Sequence, residues 1–323
     1  MLINLQVLAR ISLDELQFNR VLNALVQLFL EDRPLLETRG AMVIRKLCSL
    51  LDSSSIYMML AKILNSKTDL EFTSLMVQTL NLILLTAPEL SSLRKSLKNS
   101  FQVQASEQDR QTFSSLFFCW SHNPVATFSL CLLAQCYDLS SKLILKFAEV
   151  DVTVGFLMQI DKLIQLLESP IFIQLRLHLL ETYSPGHADL LKSLYGLLML
   201  LPQSQAYKTL SDRLTTVSSL HMHIGLSLNA GNANGNAGKQ IENGQLAIRE
   251  VANESTKAAL YATLISHFET IQEKHTEFRL SLLRQKSLLP NNSQLVTLPG
   301  SQGFSTQNAS LSSSSAALSG GSS

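Results

Sequence analysis

Charge of either sign is what this sequence has least of. Its 323 residues include 26 Lys and Arg against 25 Asp and Glu, a formal net charge of +1, and charged residues make up 16% of the chain. A nucleic-acid binder needs a basic excess to neutralise phosphates, so no nucleic-acid partner is expected. The one local cluster, Arg94, Lys95 and Lys98, is short and reads as a solvated helix face rather than a lipid patch. Cysteine is scarce too. Four scattered thiols point to a reducing compartment rather than a disulfide framework. The opening "MLINLQVLARISLDELQ" lacks a basic start and meets charge early, so it is not expected to act as a secretory leader. Alternating Val, Ile and Thr between glycine turns is missing, and strands with it.

Apolar residues are plentiful, at 46% of the chain with a mean hydropathy of +0.17. Such a chain buries a large core and has to keep its remaining apolar surface covered. From Gln111 to Tyr137 no residue carries a formal charge, long enough to cross a bilayer. His122-Asn123-Pro124 interrupts that stretch, and a polar break at membrane depth leaves backbone groups unsatisfied. Two buried helices joined by a turn are expected instead.

Amphipathic helix signals follow one another at short intervals. Ser12-x-x-Glu15 and Thr68-x-x-Glu71 read as capping boxes. Pro34, Pro88, Pro124 and Pro170 suit the first turns of new helices. The expected helices are 13–30, 34–52, 54–65, 69–86, 88–98, 106–121, 124–136, 139–149, 152–168, 170–182, 187–201 and 203–217. Helix pairs at this spacing predict an all-α, HEAT-like helical-repeat solenoid over 1–220; a large helical bundle is the alternative. "GLSLNAGNANGNAGKQIENG" predicts a flexible Gly/Asn-rich linker within 221–252. A carboxy-terminal amphipathic helix over 253–286 and a serine-rich, uncharged, disordered tail over 287–323 complete the plan.

Cys119-x2-His122-x8-Cys131-x4-Cys136 offers ligand types that a tetrahedral zinc takes. With Asn123 as N-cap and Pro124 in the first helical turn, Cys131 and Cys136 fall on one helix about 140° apart. They then diverge, and buried thiols of a helical core are the better account. His221-x-His223 lacks a third ligand. "GNANGNAG" has neither a preceding strand nor a following Lys-Ser/Thr, so it cradles no phosphate. Asp161 and Glu168 read as surface charges rather than an acid–base pair. No strained turn brackets a serine nucleophile. No enzyme activity, cofactor or metal is expected.

The last helix carries a narrow apolar seam of Tyr261, Leu264, Phe268, Ile271, His275, Phe278 and Leu282, spaced alternately by three and four. A seam this narrow suits another helix: either a second copy, or the chain's own solenoid folded back upon.

Several blocks carry a family likeness: "ETRGAMVIRKLCSLL", "CWSHNPVATFSLCLLAQCY", "FLMQIDKLIQLLESPIFIQLRLHLLE", "LKSLYGLLMLLPQSQAYKTLSDRL" and "YATLISHFETIQEKHTEFR". In this order they resemble the carboxy-terminal portion of the vacuole-morphology scaffold family, also called the associated regulator of PIKfyve. The resemblance implies a HEAT-repeat scaffold without activity of its own. Its implied partners are a PIKfyve-type phosphatidylinositol-3-phosphate 5-kinase and a Sac-type phosphoinositide 5-phosphatase, which together control phosphatidylinositol 3,5-bisphosphate. It also implies self-assembly into a homo-oligomer and an indirect, peripheral location on vacuolar and endosomal membranes from the cytoplasmic side. That self-assembly favours an intermolecular role for the seam. Family members carry further repeats ahead of this region, so a shortened form is expected. A generic helical-repeat adaptor for membrane-traffic or cytoskeletal partners is the alternative.

Overall fold

The computed structural model describes residues 2–102, 105–181, 183–184, 186–231 and 244–288, with side chains left out for Leu2, 221–256 and 286–288. Its described residues fall into two units, Met1–Leu280 and Ser281–Ser323. The first unit is all-α, with no strand among the described residues. Its helices are α1 (Leu2–Ile11), α2 (Glu15–Glu31), α3 (Arg33–Leu35), α4 (Ala41–Leu50), α5 (Ser53–Asn65), α6 (Leu70–Thr86), α7 (Ser91–Asn99) and α8 (Glu107–Trp120). There follow α9 (Pro124–Leu133), α10 (Tyr137–Lys146), α11 (Val154–Leu167), α12 (Ile173–His178), α13 (His187–Leu200), α14 (Gln205–Gly231) and α15 (Gly244–Leu288). In the second unit Ser281–Leu288 carry the end of α15.

The helices stack in two layers. One runs α1, α4, α6, α9, α11 and α14; the other runs α2, α5 and α8, and continues through α10 and α13. Each helix buries its apolar stripe between its layer neighbours and the facing layer, which is how a solenoid forms one continuous core from short units. That core extends from Leu5 to Phe268, with Trp120, Tyr57 and Phe117 wholly buried. This is a HEAT-like helical-repeat solenoid, as the helix spacing predicts.

Small residues set the α10–α13 approach. Ser140 and Ser193 share a hydrogen bond of 2.7 Å, and a Cβ added to Gly196 would meet Ile144 Cγ1 at 2.6 Å. No larger residue fits there without moving its neighbour.

Several local expectations are corrected. α1 was not among the expected helices, and Ser12 ends it: the hydroxyl donates to the Leu8 carbonyl at 2.8 Å, so Ser12 is not free to cap α2. The N-cap of α2 is Asp14, without a side-chain cap bond. Thr68 is displaced by its neighbour. The Asp69 carboxylate, a stronger acceptor than a hydroxyl, takes the Phe72 N–H at 2.9 Å. A π-helical turn, Leu36–Gly40, joins α3 to α4. α14 runs on to Gly231 and α15 begins at Gly244, so helix takes both ends of the expected linker. Its middle, 232–243, and the tail from 289 lie outside the described residues.

The basic cluster is a solvated face only at Lys95, which is exposed; Arg94 and Lys98 are half-buried. Arg94 Nη1 donates to the carbonyls of Leu84 and Ala87 at 2.9 and 2.7 Å, closing the end of α6. Lys98 Nζ reaches the Ile171 carbonyl at 3.4 Å. The same device recurs at α11, where Arg176 Nη1 donates to Leu167 and Ser169 at 2.5 and 2.8 Å. In each case a proline opens a 3-10 turn after the helix, Pro88–Leu90 or Pro170–Phe172, and the arginine six residues on reaches back. Carbonyls at a helix end have no partner within the helix, and here the two N–H of one guanidinium nitrogen satisfy two at once.

Candidate functional site

The two features singled out in the sequence, the Asn123–Pro124 turn and the seam of α15, meet in the fold. α8 stops at Trp120 because Asn123 turns extended, at φ −136° and ψ 108°, and caps the next helix: its Oδ1 accepts from Ala126 N at 3.0 Å. Pro124 occupies the first turn of α9, where a missing N–H leaves nothing unpaired. Asn123 Nδ2 donates to Gln159 Oε1 of α11 at 2.9 Å. The Thr127 hydroxyl donates to the Trp120 carbonyl at 2.6 Å. Trp120 Nε1 and the Ser129 hydroxyl both donate to Asn81 Oδ1, at 3.1 and 2.9 Å. The turn is thereby fixed to α6 and α11.

Across it lies α15. Tyr261, Leu264, Phe268 and Ile271 are buried and His275 and Phe278 half-buried within the same chain. Leu282 falls in the second unit and is half-buried. On one side α15 meets α8 and the turn. His267 Nε2 lies 3.2 Å from the Phe118 carbonyl, Gln272 Nε2 donates to the Ser121 carbonyl at 2.7 Å, and Tyr261 stacks edgewise on Phe101. On the other side it meets α10 and the loop beyond, through Lys257–Asp138, Lys146–Glu269 and Arg279–Asp151 at 2.8, 2.8 and 3.0 Å. The helix therefore fills the second layer between α8 and α10. Tyr261, Leu264, Phe268 and Ile271 are thereby covered by the chain's own solenoid.

One polar contact sits inside this packing. His122 Nδ1 and His275 Nε2 are 3.1 Å apart. Burial holds both imidazoles well below their ordinary range, each at about 4; the neighbouring ring and then His267 and Lys274 add to this for His122, and Arg279 for His275. Burial lowers His267 as well. Both rings are neutral at neutral pH, so one donates and the other accepts.

The cysteines are placed differently from expectation. α9 ends at Leu133, Gln135 takes a left-handed conformation at φ 61°, and Cys136 caps α10. Cys131 and Cys136 are thus on two helices, not one. Gln135 N donates to Leu132 O at 3.3 Å and Cys136 N to Cys131 O at 3.1 Å, the pairing of a Schellman stop. All four thiols are buried; burial pushes Cys48 up to about 12 and raises Cys119 and Cys136 well above the ordinary thiol range. Thiolate, the form that binds metal, is thereby disfavoured. Among the described residues no group of three His, Cys, Asp or Glu stands close enough to hold a metal ion.

Asp161 and Glu168 do not face each other across a substrate. Glu168 takes both Nε and Nη2 of Arg213, and Asp161 accepts from Ser204 and Gln165 at 3.0 and 2.8 Å; the pairs with Arg213 and Ser204 clip α11 to α14 and the turn before it. The side chains of His221 and His223 lie outside the described residues. Among the described residues no single helix is long and apolar enough to cross a membrane. What remains is surface. A groove of about 690 Å³ between α2, α5 and α8 is lined by Phe18, Asn19, Met58, Met59, Lys62 and Phe118 among others. An adaptable, methionine-bearing face of this kind suits protein contacts.

Residues 33–217 match the family model described as "Vacuolar protein 14 C-terminal Fig4p binding". The chain is 44% identical over 285 residues to Protein VAC14 homolog of Arabidopsis thaliana, covering 85% of this chain and 37% of that protein. It is 44% identical over 217 residues to Protein VAC14 homolog of Schizosaccharomyces pombe, covering 67% and 26%. It is 33% identical over 275 residues to Vacuole morphology and inheritance protein 14 of Saccharomyces cerevisiae, covering 85% and 30%. The chain thus spans well under half the length of these relatives. No solved structure matches it. The family model runs from α3 into α14, over the Asn123 turn and both arginine clamps: this chain belongs to the Vac14 family.

Proposed function

We propose that this chain is the carboxy-terminal part of a non-catalytic scaffold that holds a Sac-type phosphoinositide 5-phosphatase within the machinery controlling phosphatidylinositol 3,5-bisphosphate. The observation that carries this is the match of 33–217 to a model named for Fig4p binding, laid over one continuous helical solenoid. A solenoid recognises partners by extended surface rather than by a reactive centre. The PIKfyve-type kinase joins the same assembly, which sits peripherally on vacuolar and endosomal membranes through its partners. Self-association into a homo-oligomer is the further property we assign. Because α15 is packed on its own chain, a second copy using the Tyr261–Leu282 seam would have to exchange with it, and a copy that does not exchange would use another face.

Affinity purification of the tagged chain from cells, with and without residues 253–286, tests this. Recovery of the phosphatase and the kinase supports the scaffold. Recovery of transport or cytoskeletal proteins without either enzyme contradicts it and favours a general adaptor.

A further inference from the structure

Towards its carboxy-terminal end the docking of α15 turns polar. At the fifth seam position, after Tyr261, Leu264, Phe268 and Ile271, stands His275, set against His122 at the α8–α9 turn, ring to ring with centroids 5.3 Å apart. Two facing imidazole nitrogens 3.1 Å apart are satisfied by one shared proton. A second proton puts an N–H on both sides of the contact, so hydrogen bond turns into repulsion.

The surroundings offer no relief. From α15, Lys274 acts on His122 and His267, and Arg279 acts on His275. From α8 and the turn come the carbonyls of Phe118 and Ser121, the first facing His267 and the second already taken by Gln272. From the loop after α10 comes Asp151, which is paired with Arg279. From α11 comes Gln159, neutral and bound to Asn123. The charges acting on the rings are therefore cations, and each further proton is opposed.

We propose that α15 is held by a proton-sensitive clasp: the facing rings of His122 and His275 keep the helix docked while they share one proton, and ionisation of both releases it from α8 and α10. The window follows from where the rings titrate. Released, they ionise at the ordinary value of about 6.5; docked, they do so at about 4. Released helix therefore binds more protons, so docking is unaffected above about pH 6.5 and weakens as the pH falls towards about 4. With both rings ionising across that interval, docking weakens at least about 30-fold at pH 5.

The test uses the full chain with two exposed positions that flank the Lys146–Glu269 pair, replaced as Leu145→Cys and Ser266→Cys and spin-labelled. The native cysteines are buried and stay unlabelled. Pulsed electron resonance should give one short distance at pH 7.5 and a growing long-distance population at pH 5, while the near-ultraviolet circular dichroism of buried Trp120 is unchanged. His122→Gln with His275→Gln, which cannot ionise, should keep the short distance at pH 5. A short distance that persists at pH 5 in the native background overturns the proposal. So does a long-distance population that appears only together with loss of the Trp120 signal, or equally in the glutamine variant. The curve of the native background decides the matter even where the glutamine variant docks poorly.

Discussion

Gly196 of α13 stands so close to Ile144 of α10 that an added Cβ would meet Ile144 Cγ1 at 2.6 Å and Cγ2 at 3.1 Å. Gly196→Ala gains helix propensity, about 1 kcal/mol, but forces the helices apart. We expect a net destabilisation of about 1–2 kcal/mol, read as a lower denaturant midpoint. Adding Ile144→Ala removes the clashing atoms, so the double variant should lose less stability than the two single losses added together.

The stop at Gln135 predicts a gain. A non-glycine residue at φ 61° carries a penalty of about 1 kcal/mol that glycine avoids. Gln135→Gly should raise stability by about 0.5 kcal/mol after the extra freedom of glycine in the unfolded chain is subtracted. Thermal melting checks this, and a fall in melting temperature would show that the Gln135 side chain contributes more than its backbone costs.

Each arginine clamp serves two carbonyls at the end of a helix. Arg94→Met and Arg176→Met retain apolar bulk and remove the donors, and each should cost about 2–3 kcal/mol in chemical denaturation. Lysine keeps donors and charge but lacks the fixed guanidinium plane that aims them, so Arg94→Lys should recover part of the loss and not all of it.

Asn123→Ala removes the cap of α9 and the bond to Gln159, for a loss of about 1–2 kcal/mol. A zinc chelator should leave the melting temperature of the native chain where it is. A drop on chelation would show that the buried Cys119–Cys136 stretch holds metal.

Much of this was legible in the sequence because helix stops and starts leave local marks. Proline in a first turn and Asn before proline placed the α8–α9 junction to within a residue. The α9–α10 junction was not legible, since a left-handed Gln135 sends no glycine signal, and reading through it put Cys131 and Cys136 on one helix. Arg94 reads as part of a solvated helix face because its function depends on a proline six residues earlier and a helix end before that; the same spacing from Pro170 to Arg176 was the available clue. Periodicity found the buried face of α15, yet a stripe does not say what covers it. The gap between α8 and α10 exists only once the solenoid is built.

The central claim is that the solenoid spanning 33–217 itself binds a Sac-type phosphatase. Purified chain mixed with purified Fig4-type phosphatase, run on size exclusion with light scattering, tests it with no other protein present. Co-elution at a mass above either component alone is expected, and the same result after deletion of 253–286. Separate elution of the two proteins at micromolar concentration would contradict it.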